Sequence, residues 1–338
     1  MSIYTRIASG LLFPLHEQLK RHTTINVFQE MEKTQWLSAE QLQRLQVERL
    51  RDFLCRIGTS VPYYRDMFSA RGFNPEKLQS VADLQQLPLM GKPEIRANTE
   101  RMKAEGANNL QRFNTGGSSG EPLIFYLGKE RVSHDVAAKR RATRWWGVDI
   151  GDPEIVIWGS PIEIGSQDRV RMLRDRLFRT RLLSAFEMSE ANLASYVETI
   201  IRERPKMLFG YPSAISMIAG YASDSGTPLI EAGVKVVFVT SERLYDHQRE
   251  QIESVFGCPV ANGYGGRDAG FIAHQCPSGS MHITSEDIVV EIVDDGGNVL
   301  EPGKSGEIVV THMATTDFPF VRYRTGDVGV LGKDTCAC

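Results

Sequence analysis

Residues 114–122 read Asn-Thr-Gly-Gly-Ser-Ser-Gly-Glu-Pro, with three glycines and three hydroxyls inside nine positions. Glycine lets a backbone turn with positive φ and approach an anion closely, so that successive N–H groups converge on it. The hydroxyls of Thr115, Ser118 and Ser119 add donors that reorient at little cost. Such a stretch is suited to cradling nucleotide phosphates. It is not a Walker A loop, since no lysine lies inside it and no Gly-Lys-Ser/Thr follows. A Ser/Gly tether is the competing reading. The flanks favour the phosphate loop, because Leu123-Ile-Phe-Tyr-Leu127 predicts a short apolar strand, with a polar helix start expected before it. Three more clusters fall where strands should end: Gly210-Tyr211-Pro212-Ser213, Asn262-Gly-Tyr-Gly-Gly-Arg-Asp268 and Tyr323-Arg-Thr-Gly-Asp327. Each alone is an ordinary Gly-rich turn.

Positioning these clusters requires strands and helices in alternation. Residues 11–60 and 78–104 are expected to be helical, with Ser38 as an N-cap, an apolar face running from Leu42 to Ile57, a break at Val61–Arg65 and a second break at Leu87–Lys92 ahead of another short helix. From about residue 123 the pattern alternates. Strands are expected at 155–158, 207–209 and 234–239, and helices at 191–203, 213–222 and 244–256. That order implies a mostly parallel sheet with ligands at the carboxyl ends of its strands. Residues 287–293 and 306–311, joined through Asp294-Asp-Gly-Gly-Asn298, read as a hairpin and so as a small antiparallel sheet. The fold class is therefore α/β: mostly parallel sheet layers flanked by helices, plus a small antiparallel β subdomain near the C-terminus. The expected division is a helical part over 1–110, an α/β nucleotide- and acid-binding core over 111–285, a β subdomain over 286–330 and the start of a linker over 331–338.

In order and spacing the four clusters resemble the superfamily of acyl-CoA synthetases, adenylation domains and luciferase. Within it the chain is most similar to the phenylacetate–CoA ligase-like family, including relatives associated with capsular polysaccharide biosynthesis. Val61-Pro-Tyr-Tyr64 and Leu87-Pro-Leu89 share this likeness. The resemblance implies that Thr115, Gly116, Gly117, Ser118, Ser119 and Gly120 hold the β/γ-phosphates of ATP. It implies that Tyr264, Gly265, Arg267 and Asp268 line the adenine and Mg²⁺ side, and that Asp327 accepts hydrogen bonds from the ribose hydroxyls. Activation of an acid requires its carboxylate to attack the α-phosphate, which needs positioning and charge neutralisation more than proton transfer. Asp268, Thr115 and Ser118 are the residues expected to act in that step, with Mg²⁺ near Asp268. The acid pocket is expected from Trp158, Tyr211, Pro212, Ser241 and Glu242, with a core role for Trp158 and a helix N-cap for Ser241 as the alternatives. Two departures stand out. Residue 268 is Asp where most of the superfamily has Glu, and Leu123 follows the loop where many members carry lysine. The phosphates would then lean more on backbone donors, and Arg267 is the nearest cation in a matched motif.

Cys276 and His282 stand six apart across a Gly-containing turn, and the chain ends Cys336-Ala-Cys338. Three thiolates and an imidazole make a tetrahedral zinc set, with His274 as an alternative donor. The competing reading has Cys276 packed internally and the terminal cysteines unligated. Cys55 and Cys258 read as core residues.

Composition bounds the function. Apolar residues at 41% and charged residues at 24% are ordinary for an α/β enzyme, and a net charge of −3 argues against a nucleic-acid binder. No apolar run reaches the ~20 residues of a membrane span. Five cysteines without a secretory signal point to the cytoplasm. The N-terminus reads as an amphipathic first helix that packs on the core, in preference to a peripheral membrane helix. Arginines at 169, 171, 174, 176, 179 and 181 read as a solvated helix face, or as a contact for an acidic or phosphate-rich ligand. The expected partners are a small carboxylic acid, with coenzyme A as probable thiol acceptor; a homodimer is left open. The resemblance also implies a mobile C-terminal domain of roughly a hundred residues that carries a lysine for adenylation. The chain stops eleven residues after Asp327, so that domain is expected to be missing. A truncated, non-catalytic ATP/AMP-binding domain within an assembly is the alternative function.

Overall fold

The computed structural model describes residues 2–115, 122–159, 169–333 and 335–338, with the backbone alone at 169 and 170. The N-terminal third is helical. One continuous helix runs through α1 (Ile3–Ile7), a π turn (Ala8–Leu12) and α2 (Phe13–Leu19), followed by α3 (Thr24–Thr34), α4 (Ala39–Ser60) and α5 (Pro62–Arg71). The α4 helix starts at the expected cap. Ser38 Oγ accepts from the Gln41 N–H at 3.2 Å and Gln41 Oε1 accepts from the Ser38 N–H at 2.9 Å. Its second half buries Leu50, Phe53, Leu54 and Ile57 completely.

The helical region expected over 78–104 is broken over 87–91 as expected, with a short helix after it, and before the break it holds only a 3₁₀ turn. Pro88, Gly91 and Pro93 interrupt the region, leaving the 3₁₀ turn at Val81–Gln86 and the short α6 (Lys92–Asn98). The backbone between them pairs with a distant strand instead. The Met90 N–H donates to the Arg322 carbonyl and the Arg324 N–H to the Met90 carbonyl, both at 2.9 Å. The segment before the Gly-rich loop is likewise not a helix start but β1 (Gln111–Asn114), antiparallel to β2 (Ile124–Leu127). The loop is thus the connection of a hairpin.

After α7 (Lys129–Trp145) comes the main sheet: β3 (Glu154–Ile157), β4 (Thr180–Leu183), β5 (Met207–Gly210), β6 (Val236–Thr240), β7 (Val260–Gly266), β8 (Gly270–Gln275) and β9 (Met281–Ile283). Helices α8 (Arg169–Phe178), α9 (Glu190–Glu203), α10 (Pro212–Asp224) and α11 (Asp246–Phe256) connect the parallel strands. The sheet order is β4-β3-β5-β6-β7-β8-β9, parallel from β4 to β7 and antiparallel beyond. All five positions of β6 are buried, which is why it reads as an uninterrupted apolar run with both faces covered. From β3 the chain moves outward to β4, then crosses back to lay β5 on β3's other side. The strand order therefore reverses between β3 and β5, the kind of switch point at whose carboxyl ends α/β folds bind ligands.

The third sheet is the expected antiparallel one, β10 (Ile288–Val293), β11 (Ser305–His312) and β12 (Tyr323–Val330). It shares one apolar core with α4, α5 and the β1–β2 hairpin, through Phe53, Tyr64, Phe125, Ile292, Val310 and Phe320 among others. Arg322 fastens this sheet from within. Its guanidinium meets both oxygens of buried Glu291 at 3.0 Å and donates to the Leu87 carbonyl at 2.7 Å.

Candidate functional site

Four strands end on one edge of the main sheet, and each delivers a residue singled out in the sequence: Trp158 after β3, Tyr211 after β5, Ser241 after β6 and Tyr264 in β7. At the switch point Trp158 and Tyr211 stack at 4.4 Å with an 18° interplanar angle, and Phe209 continues the wall at 6.0 Å from Trp158. Both stacked rings are half-buried, Trp158 packing against the core cluster of Phe209 and Phe238 and Tyr211 against that of Ile157 and Leu208, each with part of its surface exposed. The strands approach closely here only because residue 210 is glycine: a Cβ would lie 2.3 Å from the Ile157 carbonyl oxygen. Phe186, edge-on to Tyr211 at 6.4 Å, is a further wall residue that no sequence motif marked.

The other expected pocket residues differ in role. Pro212 is buried at the first position of α10, where its fixed φ suits a helix start. Ser241 is exposed with φ +69 and caps nothing, since Tyr245 occupies the N-cap of α11. The Glu242 carboxylate accepts from the Ser213 N–H at 3.3 Å, joining the loops after β5 and β6.

The two distant acidic motifs interlock. The Tyr264 hydroxyl donates to Asp327 Oδ2 at 2.9 Å, and the Tyr323 hydroxyl donates to Asp268 Oδ2 at 2.7 Å. Each motif's tyrosine thus orients the other's aspartate. Burial, reinforced by neighbouring carboxylates, pushes both phenols well above their ordinary range, so both remain donors at neutral pH. Asp268 is held from two further sides. Its Oδ1 accepts from the Ala269 N–H at 3.0 Å, and its carbonyl accepts from Arg131 at 3.3 Å. Arg131, fully buried on α7 and paired to Asp135 at 3.1 Å, carries no sequence signal for this task. Gly265 is required where β7 bulges against β8, since a Cβ would lie 2.1 Å from the Gly270 carbonyl oxygen.

At the hairpin end, the Thr115 N–H donates to the Leu123 carbonyl at 3.0 Å and Thr115 Oγ1 accepts from the Leu123 N–H at 2.9 Å. Thr115 therefore clasps the base of the Gly-rich loop, and accepting that bond leaves its hydroxyl proton without an acceptor among the described residues. Leu123 itself is fully buried, so this position anchors the hairpin. Gly116, Gly117, Ser118, Ser119 and Gly120 lie outside the described residues. Arg267 is exposed and sits over the Phe113 ring at 5.6 Å, which puts a cation beside the strand that enters the loop.

The cysteine–histidine set converges as well. One ligand atom from each of Cys276, His282, Cys336 and Cys338 lies within 4.8 Å of all the others. Cys276 and Cys336 sulfurs are 3.5 Å apart, and Cys338 Sγ is 3.4 Å from His282 Nε2. His274 is outside this group and fully buried. Desolvation first, then the Arg141 charge, push its imidazole down to about 3, marking a neutral core side chain. Cys258 is buried and its thiol is pushed up to about 12 by desolvation, as expected of a core cysteine, whereas Cys55 is half-buried.

The main sheet, parallel from β4 to β7 and extended by antiparallel strands, with helices flanking it and a small antiparallel sheet beside it, is the fold seen in adenylate-forming ligases. The family model for AMP-binding enzymes matches residues 182–316. The chain is 26% identical over 310 residues to Protein CapK of Staphylococcus aureus, covering 91% of this chain and 67% of that protein. It is 26% identical over 298 residues to phenylacetate-coenzyme A ligase of Pseudomonas putida, covering 86% and 67%. It thus spans about two thirds of these curated relatives. The fold superposes on an open conformation of 2-hydroxyisobutyryl-CoA ligase in complex with 2-HIB-AMP and CoA, with a TM-score of 0.73, 19% identity, 89% of this chain and 73% of that one. The resemblance drawn from the motifs therefore holds: the chain is similar to phenylacetate-coenzyme A ligases and to CapK, and its central part matches the AMP-binding enzymes.

Proposed function

We propose that this site activates a small carboxylic acid with ATP, giving an acyl adenylate and pyrophosphate, and that the acyl group then passes to a thiol such as coenzyme A. The observation that carries the reading is the reciprocal pairing of Tyr264 with Asp327 and of Tyr323 with Asp268, which brings together a carboxylate just after β7 and one within β12. In this arrangement Asp327 accepts from the vicinal ribose hydroxyls, and Thr115 with the Gly116–Gly120 loop holds the β/γ-phosphates. Asp268 suits Mg²⁺, a hard cation that takes carboxylate oxygen and would offset charge on the phosphates. Trp158 and Tyr211 form the wall against which the acid's apolar part packs, favouring an aryl or other compact acid. The carboxylate attacks the α-phosphorus, the bond to the bridging oxygen breaks, and pyrophosphate leaves. Acid-dependent incorporation of labelled pyrophosphate into ATP, scored over a panel of aryl, fatty and sugar-linked acids, tests the reading. Nucleotide binding with no exchange for any acid would leave the non-catalytic alternative.

The same proposal extends to zinc at Cys276, His282, Cys336 and Cys338. Zinc–sulfur bonds of ~2.3 Å and zinc–nitrogen bonds of ~2.0 Å give tetrahedral edges of about 3.8 Å between sulfurs and about 3.5 Å from sulfur to nitrogen. The separations of 3.5 and 3.4 Å match that scale. Zinc there would tie the tail to β8 and β9 as a structural brace. Elemental analysis of the purified protein with no stoichiometric zinc would remove it. The reading places the enzyme in the cytoplasm, where ATP is available and the five free cysteines stay reduced.

A further inference from the structure

The first helix packs one face and leaves another in water. Thr5, Ala8, Ser9, Phe13 and Glu17 are buried, with Thr5 Oγ1 donating to Asp152 at 2.7 Å. On the other side Ile3, Ile7, Leu11, Leu15 and Leu19 recur every fourth residue, exposed by 80, 46, 62, 51 and 77%. On a 3.6-residue helix a four-residue spacing drifts by about 40° per step. The π turn at Ala8–Leu12, wound with more residues per turn, takes back part of that drift and keeps the ridge together.

The ridge is continued by a second helix. α8 docks beside it, with the Tyr4 hydroxyl donating to the Leu177 carbonyl at 2.6 Å and Phe13 edge-on to Phe178 at 5.8 Å. Met172, Leu173 and Leu177 of α8 are exposed by 53, 69 and 40%. The cations of this surface surround the apolar residues. Arg6, Lys20 and Arg21 are exposed on or just after the first helix, and Arg171, Arg176, Arg179 and Arg181 on or just after α8. Arg176 falls four residues from Met172 and three from Leu173, on their side of the helix. Asp175, paired to Arg174, is the one acidic residue between 171 and 181, in a chain whose net charge is −3.

We propose that this surface docks on an anionic phospholipid bilayer, with the first helix lying in the interface plane and the arginines of α8 among the headgroups. Contiguous exposed apolar side chains of this extent mark an interaction surface. Their basic rim selects an anionic partner. A second copy of the chain fits less well, because a two-fold contact through this patch would set its arginines against themselves. No helix among the described residues is long and apolar enough to cross a membrane, so the contact is superficial.

The test is flotation of the full chain with phosphatidylcholine vesicles and with vesicles that also contain phosphatidylglycerol. Binding is expected to the anionic vesicles, to fall as salt is raised, and to be weak on phosphatidylcholine alone. Leu11→Asp with Leu15→Asp should abolish it. Arg171→Glu with Arg176→Glu should weaken it by about tenfold or more per residue, since each cation near an anionic surface contributes ~1 kcal/mol and reversal doubles the change. All four positions are exposed, so circular dichroism and melting temperature should not move. Equal binding to both vesicle types, none to either, or binding unaffected by the variants would overturn the proposal. So would light scattering that shows a dimer dissociated by Leu15→Asp, which would assign the ridge to self-association.

Discussion

Replacing Tyr323 by Phe removes one oxygen and keeps the ring that packs 4.9 Å from Phe320 in the core. The deleted hydroxyl is the donor to Asp268 Oδ2 at 2.7 Å. A hydrogen bond to a charged acceptor contributes about 1.5–3 kcal/mol when fully buried. Asp268 is half-buried, so water recovers part of that, and the stability loss should be near 1 kcal/mol. The functional loss has a separate origin. Oδ1 stays tied to the Ala269 N–H, and only the orientation of Oδ2 is released. If the productive orientation is worth about 1 kcal/mol, exchange should fall roughly fivefold at subsaturating ATP and Mg²⁺. High Mg²⁺ should restore much of it, because the carboxylate remains present.

The assay is acid-dependent pyrophosphate exchange, with separate titrations of ATP and Mg²⁺ and a melting curve for each protein. Asp268→Asn should lose more activity than Tyr323→Phe and should not be rescued by Mg²⁺. Unchanged Mg²⁺ dependence and exchange rate in Tyr323→Phe would refute the positioning role. A drop in melting temperature with full activity would show that the hydroxyl only braces the fold. Because burial and the Asp268 carboxylate hold the phenol proton well above its ordinary range, any alkaline fall in activity below about pH 10 should be the same in wild type and Tyr323→Phe.

Asp327→Ala should lose exchange and ATP affinity while keeping its fold, since Asp327 is exposed and its carboxylate bonds only Tyr264 among the described residues; unchanged ATP affinity by calorimetry would sink the ribose assignment. Trp158→Ala should raise the KM for the acid by ~10-fold or more and leave that for ATP within about twofold, because it removes one wall of the proposed acid pocket alone; an equal change in both would move Trp158 out of the acid pocket. Asp287 tests acid stability. Burial alone would raise its pKa, but His134 at 3.3 Å and Arg49 at 2.6 Å outweigh it and hold the group at about 2. A depressed folded-state pKa stabilises fully above the unfolded value near 4 and is lost as pH falls through about 2. Asp287→Asn should therefore cost about 2 kcal/mol at neutral pH and flatten the decline between pH 4 and 2; parallel stability–pH curves for the two proteins would contradict this.

The parts legible in the sequence are those whose signal is local. β3, β5 and β6 are short apolar runs covered on both faces, and β10 and β11 flank a turn rich in Asp and Gly, so each announces itself. β1 has no such mark. Gln111-Arg-Phe-Asn114 is mostly exposed, and it is a strand because β2 offers it a partner. β12 was legible as a motif but not as a strand, since Gly326 and Gly329 look like turn residues until β11 is laid beside them. The segment 78–104 was legible in part: its break over 87–91 and the short helix after it carry local signals, but the pairing made at the break does not. Its leucines keep a helical look, while Pro88, Gly91 and Pro93 free Met90 to pair with Arg322 and Arg324 more than 230 positions away. No local pattern encodes that contact.

The same distinction explains what the motifs left unsaid about the site. Each cluster could be recognised at its own strand end, but the working unit is a pair of contacts between clusters. Tyr264 belongs by sequence with Asp268 and by hydrogen bonding with Asp327, and Tyr323 makes the reverse exchange. The arrangement follows from where β7 ends and where β12 begins and runs. β7 closes the parallel half of the main sheet, and β12 is carried past it by the small sheet, itself fastened through Arg322 to Glu291 and to the Leu87 carbonyl. Either carboxylate alone would be an ordinary solvated side chain. Set opposite each other with a phenol apiece, one half-buried and one buried, the two are held in fixed directions, and the proposed reaction, which needs positioning more than proton transfer, would gain most from that.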